Sequence, residues 1–144
     1  MKAPYLRPAS LGLVALGGTF GAAAREVLVL SVPGHGHLPW AIIMANLVGA
    51  FLLGLLYEGL AGGSAPVSPA RSHRKARLRL LLGTGFCGGF TTYSTLSVGV
   101  ALLAGTGSSG WAAGYAAGTV VVGAAATWAG IAAGTLRQRG GGLQ

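Results

Sequence analysis

Four long apolar runs, each close to the length of a membrane-crossing helix, limit most strongly what this chain can fold into. They extend from about Ser10 to Ser31, Pro39 to Leu60, Leu78 to Ala104 and Trp111 to Leu136. A helix needs about 20 mostly apolar residues to cross a hydrocarbon core. Only 8% of the 144 residues are charged and 27 are glycine, where a soluble domain carries about 25% charged residues and about 7% glycine. The expected fold is all-α, a single membrane domain over residues 1–144 with four transmembrane helices packed through small residues. The first run does not read as a cleaved signal peptide, because Arg25 and Glu26 interrupt it and no cleavage pattern follows.

Nine of the ten lysines and arginines flank the runs: Lys2, Arg7, Arg71, Arg74, Lys75, Arg77, Arg79, Arg137 and Arg139. With four spans, all nine fall on one face, and the connections PGHGHLP and GTGSSG on the other face hold none. Basic residues stay on the cytoplasmic side, so both termini are expected in the cytoplasm of a multi-pass plasma-membrane protein. The same placement explains the net charge of +8 without nucleic acid as a partner. The middle connection, residues 61–77, is rich in Pro, Ser and Arg and is expected to be a basic loop disordered at least in part.

Several motifs lead nowhere. Gly83, Gly85 and Gly88 spell GxGxxG, but a dinucleotide site needs a preceding strand and an acidic residue about 20 positions on, and no Asp or Glu follows. His35 and His37 lack a third ligand for a metal. The serines and threonines of the third run have no His, Asp, Glu or Lys close in sequence to act as base. Cys87 is the single cysteine, so no internal disulfide forms. No enzyme is expected.

The third run is the exception among the four. GTGFCGGFTTYSTLS, residues 83–97, is crowded with glycine, threonine and serine. Such sequence fits an uninterrupted helix poorly, and non-helical backbone survives at membrane depth only when protein or a watery cavity surrounds it. A broken helix frees carbonyls for a cation and amides for an anion. Without carboxylates nearby, a small cation would need backbone oxygens. Arg25 either snorkels toward the headgroups or serves a site, and Asn46 either ties helices together or serves a pore. Gly17 and Gly21, the ladder Gly110, Gly114 and Gly118, and Gly130 and Gly134 have helix-packing spacing.

Three segments together resemble the CrcB/Fluc fluoride channels: GGTFGAAAR at residues 17–25, NLVGAFLLG at 46–54, and GTGFCGGFTTYSTLS at 83–97. Order and spacing agree over nearly the whole chain. The resemblance implies a passive channel through which cytoplasmic fluoride leaves, built as an antiparallel dimer with two narrow anion pores. It implies a central structural Na+ held by the carbonyls of Gly88 and Thr91. It implies a pore lined by Asn46, by the aromatic positions that match Tyr93 and Leu96, and by a polar track in the fourth span at Tyr115 and Thr119.

The chain departs from the family pattern at Leu96, where a phenylalanine is usual, at Gly99, where a glutamate is common, and at Gly123, where the polar track ends without its hydroxyl. A nine-to-zero charge bias should fix one orientation, so the expected partner in the dimer is a related subunit inserted the other way. Two other functions are open to a four-span chain of this size. One is a proton-coupled small multidrug exporter, which requires a mid-membrane carboxylate that Glu26 and Glu58 do not supply. The other is a non-conducting assembly subunit of a fluoride channel.

Overall fold

The computed structural model describes residues 7–32, 40–61 and 69–141. Six α-helices and one π-helical segment account for nearly all of them: α1 Pro8–Ser31, α2 Trp40–Ala61, α3 Pro69–Leu78, the π-helical segment Arg79–Cys87, α4 Gly88–Phe90, α5 Ser94–Gly105 and α6 Ser109–Gly141. Helices α1, α2 and α6 are long and apolar enough to cross a membrane. At about 1.5 Å per residue, the 24 residues of α1 reach about 36 Å, against a hydrocarbon core of about 30 Å. The segment between α2 and α6 is built of shorter pieces. It runs helically through α3, the π-helical segment and α4, stops at Thr91, and resumes at Ser94.

The surface is the inverse of a soluble protein's. Leu30, Phe20, Trp111, Trp128 and Leu102 are exposed, while the buried core contains Ala41, Ala45, Cys87, Phe90 and Ala112. Among the described residues no polar or charged residue is buried. Large apolar groups outside, around a core made mostly of small residues, are stable only where the solvent is itself hydrocarbon. The protein is a multi-pass, all-α membrane protein.

Two packed pairs carry the fold: α1 lies against the π-helical segment and α4, and α2 lies against α6. Glycine allows both. A Cβ at Gly17 would fall on the Leu81 carbonyl and 2.9 Å from the Phe86 nitrogen; one at Gly89 would meet the backbone of Gly18. On the other side, a Cβ at Gly130 would fall on the Phe51 carbonyl and 2.9 Å from the Leu55 nitrogen. The ladder Gly110, Gly114 and Gly118 behaves differently. Among the described residues no heavy atom lies within 4 Å of a Cβ placed at any of the three, so this glycine face makes no close backbone packing of the kind seen at Gly17 or Gly130.

One expectation is corrected. Residues 69–77, assigned to a disordered loop, are helical as part of α3. Pro69 sits at the first helical position, where its missing N–H costs nothing. The alanines, arginines, lysine and leucine that follow are strong helix formers. Residues 62–68 of that loop, like His35 and His37, lie outside the described residues.

Candidate functional site: the break in the third span

The break begins where Thr91 turns extended, at φ −84° and ψ 156°. Before it, the Thr91 N–H and hydroxyl both donate to the Cys87 carbonyl, at 2.9 and 2.8 Å. Beyond it, the Thr92 backbone leaves the helix and pairs with a side chain from α2. Asn46 Nδ2 donates to the Thr92 carbonyl at 2.9 Å, and the Thr92 N–H donates to Asn46 Oδ1 at 2.8 Å. One amide thus satisfies both polar groups of the unwound residue, as a neighbouring strand would. Gly49, one turn below Asn46, leaves room for Thr91: a Cβ there would fall on Thr91 Cγ2. The asparagine and the glycine of NLVGAFLLG therefore serve one local structure.

This pairing has a consequence for Gly88. In an unbroken helix its carbonyl would accept the N–H of the residue four positions on, which is Thr92. That N–H goes to Asn46 instead. Gly88 is also exposed, with no heavy atom within 4 Å of a Cβ built on it. An open carbonyl released from its helical donor is suited to a small cation. The Thr91 carbonyl accepts a bond from Arg25 Nη1 at 3.4 Å, longer than the usual 2.7–3.2 Å, so its lone pairs are not saturated. The donor set present, two neutral backbone oxygens, fits a monovalent hard cation. Among the described residues no group of three or more His, Cys, Asp or Glu could hold a metal.

Arg25 is half-buried and turned toward the break. It does not take the course of an arginine snorkelling away from the protein. The conformation of Thr91 leaves a carbonyl for it to reach.

Asn46 also lines a groove of about 280 Å³ between α2 and α6, together with Ile43, Tyr115, Gly118, Thr119 and Gly123. Three of the expected pore residues, Asn46 of α2 and Tyr115 and Thr119 of α6, thus line one groove. An amide NH2 carries two donors, and the bond to Thr92 engages only one of Asn46's. The Thr119 hydroxyl donates to the Tyr115 carbonyl at 2.8 Å, so it meets a groove occupant with its oxygen unless it rotates. Gly99 of α5 lies beneath the Tyr115 ring, with a Cβ position 3.2 Å from Cε1. The glycine at this position makes room for the tyrosine.

Tyr93 and Leu96 are not in this groove. Tyr93 is 79% exposed and Leu96 is half-buried. Sequence reasoning did not single out Phe86 and Phe90, whose rings stack with centroids 5.7 Å apart and planes 12° apart. Their spacing of one helical turn was the available signal.

A family model described as "CrcB-like protein, Camphor Resistance (CrcB)" matches residues 12–131. The chain belongs to the CrcB family. Its relatives include "Fluoride-specific ion channel FluC 1" of Cutibacterium acnes, 41% identical over 136 residues and 92% of each chain. The Leifsonia xyli subsp. xyli protein "Fluoride-specific ion channel FluC 2" is 39% identical over 90% of this chain and 86% of its own length. "Fluoride-specific ion channel FluC" of Chlorobium luteolum is 40% identical over 88% and 92%. The CrcB match spans all three sequence segments, from the GGTFGAAAR of α1 to the break and into α6.

Proposed function

We propose that this CrcB-family chain is a subunit of a fluoride channel in the plasma membrane, through which cytoplasmic fluoride leaves passively. The observation that carries the reading is about 40% identity, along nearly the full length, to relatives named as fluoride-specific channels. The geometry is compatible: a groove lined by the Asn46 amide, no carboxylate among its lining residues, and a broken helix beside it. Neutral HF enters cells and dissociates inside. The negative interior then drives the anion out, with about 2.3 kcal/mol per charge per 100 mV. The chain is a channel and not an enzyme. The exporter reading is disfavoured, since Glu26 is exposed on α1 and Glu58 lies near the end of α2. The reading as a non-conducting assembly subunit has no relative named for such a role behind it.

The finer reading is an antiparallel dimer. Gly88 and Tyr93 are exposed on the lone subunit, and a second subunit over this face would convert two carbonyls into four, enough to hold a central Na+. The same contact would bring Tyr93 and Leu96 to a pore. Both termini face the cytoplasm, and the nine-to-zero distribution of basic residues makes the partner a related, oppositely inserted subunit.

The test is to express the chain alone, tagged at either end, in a fluoride-sensitive bacterium, and to read orientation and fluoride resistance together. One orientation, with rescue only when an oppositely inserted relative is added, is expected. Insertion in both orientations with full rescue would show a self-sufficient homodimer. Absence of rescue under every pairing would sink the fluoride reading itself.

A further inference from the structure

The basic residues of α3 lead directly into a cleft that the channel reading does not use. Arg71, Arg74, Lys75, Arg77 and Arg79 fall within nine residues, and no Asp or Glu occurs between Pro69 and Cys87. Arg79 opens the π-helical segment, and the three leucines Leu80, Leu81 and Leu82 follow it. It therefore stands where the polar helix gives way to apolar sequence, at the depth of lipid headgroups. Its guanidinium carbon lies 5.5 Å from the centroid of the Tyr57 ring on α2, a cation–π contact that holds the group against the protein. Beneath it is a cleft of about 230 Å³ lined by Leu53, Leu56, Tyr57, Arg79, Gly83 and Thr84.

The cleft is amphipathic in one direction. Arg79 and Tyr57 give a cationic and hydrogen-bonding mouth, and Leu53 and Leu56, which face Gly83 one turn further along the segment, give an apolar floor. The floor is open because residue 83 is glycine: a Cβ there would already touch Leu56 Cδ2 at 3.4 Å and Leu53 Cδ1 at 3.7 Å. A soluble anion would use the mouth and leave the floor bare. A nucleic acid would use the charge and leave both leucines unmatched. An anionic phospholipid matches both parts, with its phosphate on the planar guanidinium and the start of an acyl chain against the leucines. The polybasic helix beside the cleft is of the kind that concentrates such lipids at a membrane surface.

We propose that the Arg79–Tyr57 cleft is a binding site for one anionic phospholipid per subunit, fed by the basic face of α3. The proposal is independent of which ion the chain conducts.

Native mass spectrometry of the intact, detergent-purified chain, offered phosphatidylglycerol and phosphatidylcholine in equal amounts, reads the site directly. Retention of one phosphatidylglycerol per subunit in preference to phosphatidylcholine is expected. Arg79→Gln should lower that retention roughly tenfold or more, the scale of one charged hydrogen-bonded contact. Gly83→Leu should do the same with every charge in place, because its side chain fills the floor. Arg137→Gln, a flanking cation outside the cleft, should change nothing. Size-exclusion profiles confirm that each variant is folded, and either cleft variant alone suffices for the test. Equal losses in Arg79→Gln and Arg137→Gln, or unchanged retention in Gly83→Leu, would reduce the effect to diffuse surface charge and overturn the proposal. Displacement of the lipid by millimolar inorganic phosphate would overturn it in favour of a soluble-anion site.

Discussion

Two glycine-rich faces of this molecule share a sequence spacing and have opposite uses. On α1, Gly17 and Gly21 press against the backbone of the π-helical segment and α4: a Cβ at Gly21 would fall on the Phe86 carbonyl and 2.8 Å from the Phe90 nitrogen. On α6, Gly114 and Gly118 repeat the same interval, yet nothing lies within 4 Å of either Cβ position, and both line the groove that contains Asn46. The first face brings two backbones together. The second keeps a space open along α2. GxxxG spacing thus reports a face of small residues and says nothing of what occupies it.

The contrast breaks most visibly under substitution on the closed face. Gly21→Val places a branched side chain against backbone atoms that have no rotamer by which to yield. The cost should reach or exceed the ~3 kcal/mol upper end of ordinary overpacking. Yield of monodisperse protein in detergent and its thermal unfolding check this. A well-folded Gly21→Val would mean that α1 and the π-helical segment do not pack as described.

A loss of similar size is expected where the two regions meet, at the break. Asn46→Ala removes both hydrogen bonds to Thr92 and leaves two backbone groups unpaired at membrane depth. At about 1–3 kcal/mol for each unsatisfied group, the destabilisation should be roughly 2–6 kcal/mol. Asn46→Asp should rescue only part of it. At a pH high enough to ionise the introduced carboxyl, it accepts from the Thr92 N–H but cannot donate to the Thr92 carbonyl. Thermal unfolding of the two variants gives the comparison, and equal stability of Asn46→Asp and wild type would remove the bidentate pairing.

Much of this was legible in the sequence, for a physical reason. A membrane obliges backbone groups to be satisfied locally, so long apolar runs become helices such as α1 and α2 with little freedom. The break was legible too, because glycines and threonines at 83–97 are poor material for an unbroken span. The partner of the break was not. That Asn46 pairs with Thr92, 46 positions away, depends on how α2 sits against α4, which no local pattern encodes. The direction of Arg25 was hidden for the same reason, since its acceptor is the Thr91 carbonyl, 66 positions away. Helix α3 was missed because Pro, Ser and Arg read as a loop by composition, while the helix-forming alanines, arginines and lysine lie within the same ten residues.

The open face gives the smallest effect on stability and the most direct reading of function. Among the described residues no heavy atom lies within 4 Å of a Cβ at Gly118, so the backbone need not shift and the unfolding temperature of Gly118→Leu should stay near that of wild type, while its side chain enters the groove beside Asn46 and Tyr115. Gly12→Leu, on α1, also meets open space but lies outside the groove, and serves as its control. The deciding measurement is fluoride efflux from proteoliposomes, followed with a fluoride-selective electrode. The vesicles hold the chain alone or with the oppositely inserted relative that gives flux. If the groove is the anion path, Gly118→Leu is folded and silent while Gly12→Leu conducts like wild type. Undiminished efflux through folded Gly118→Leu would contradict it and place the path elsewhere.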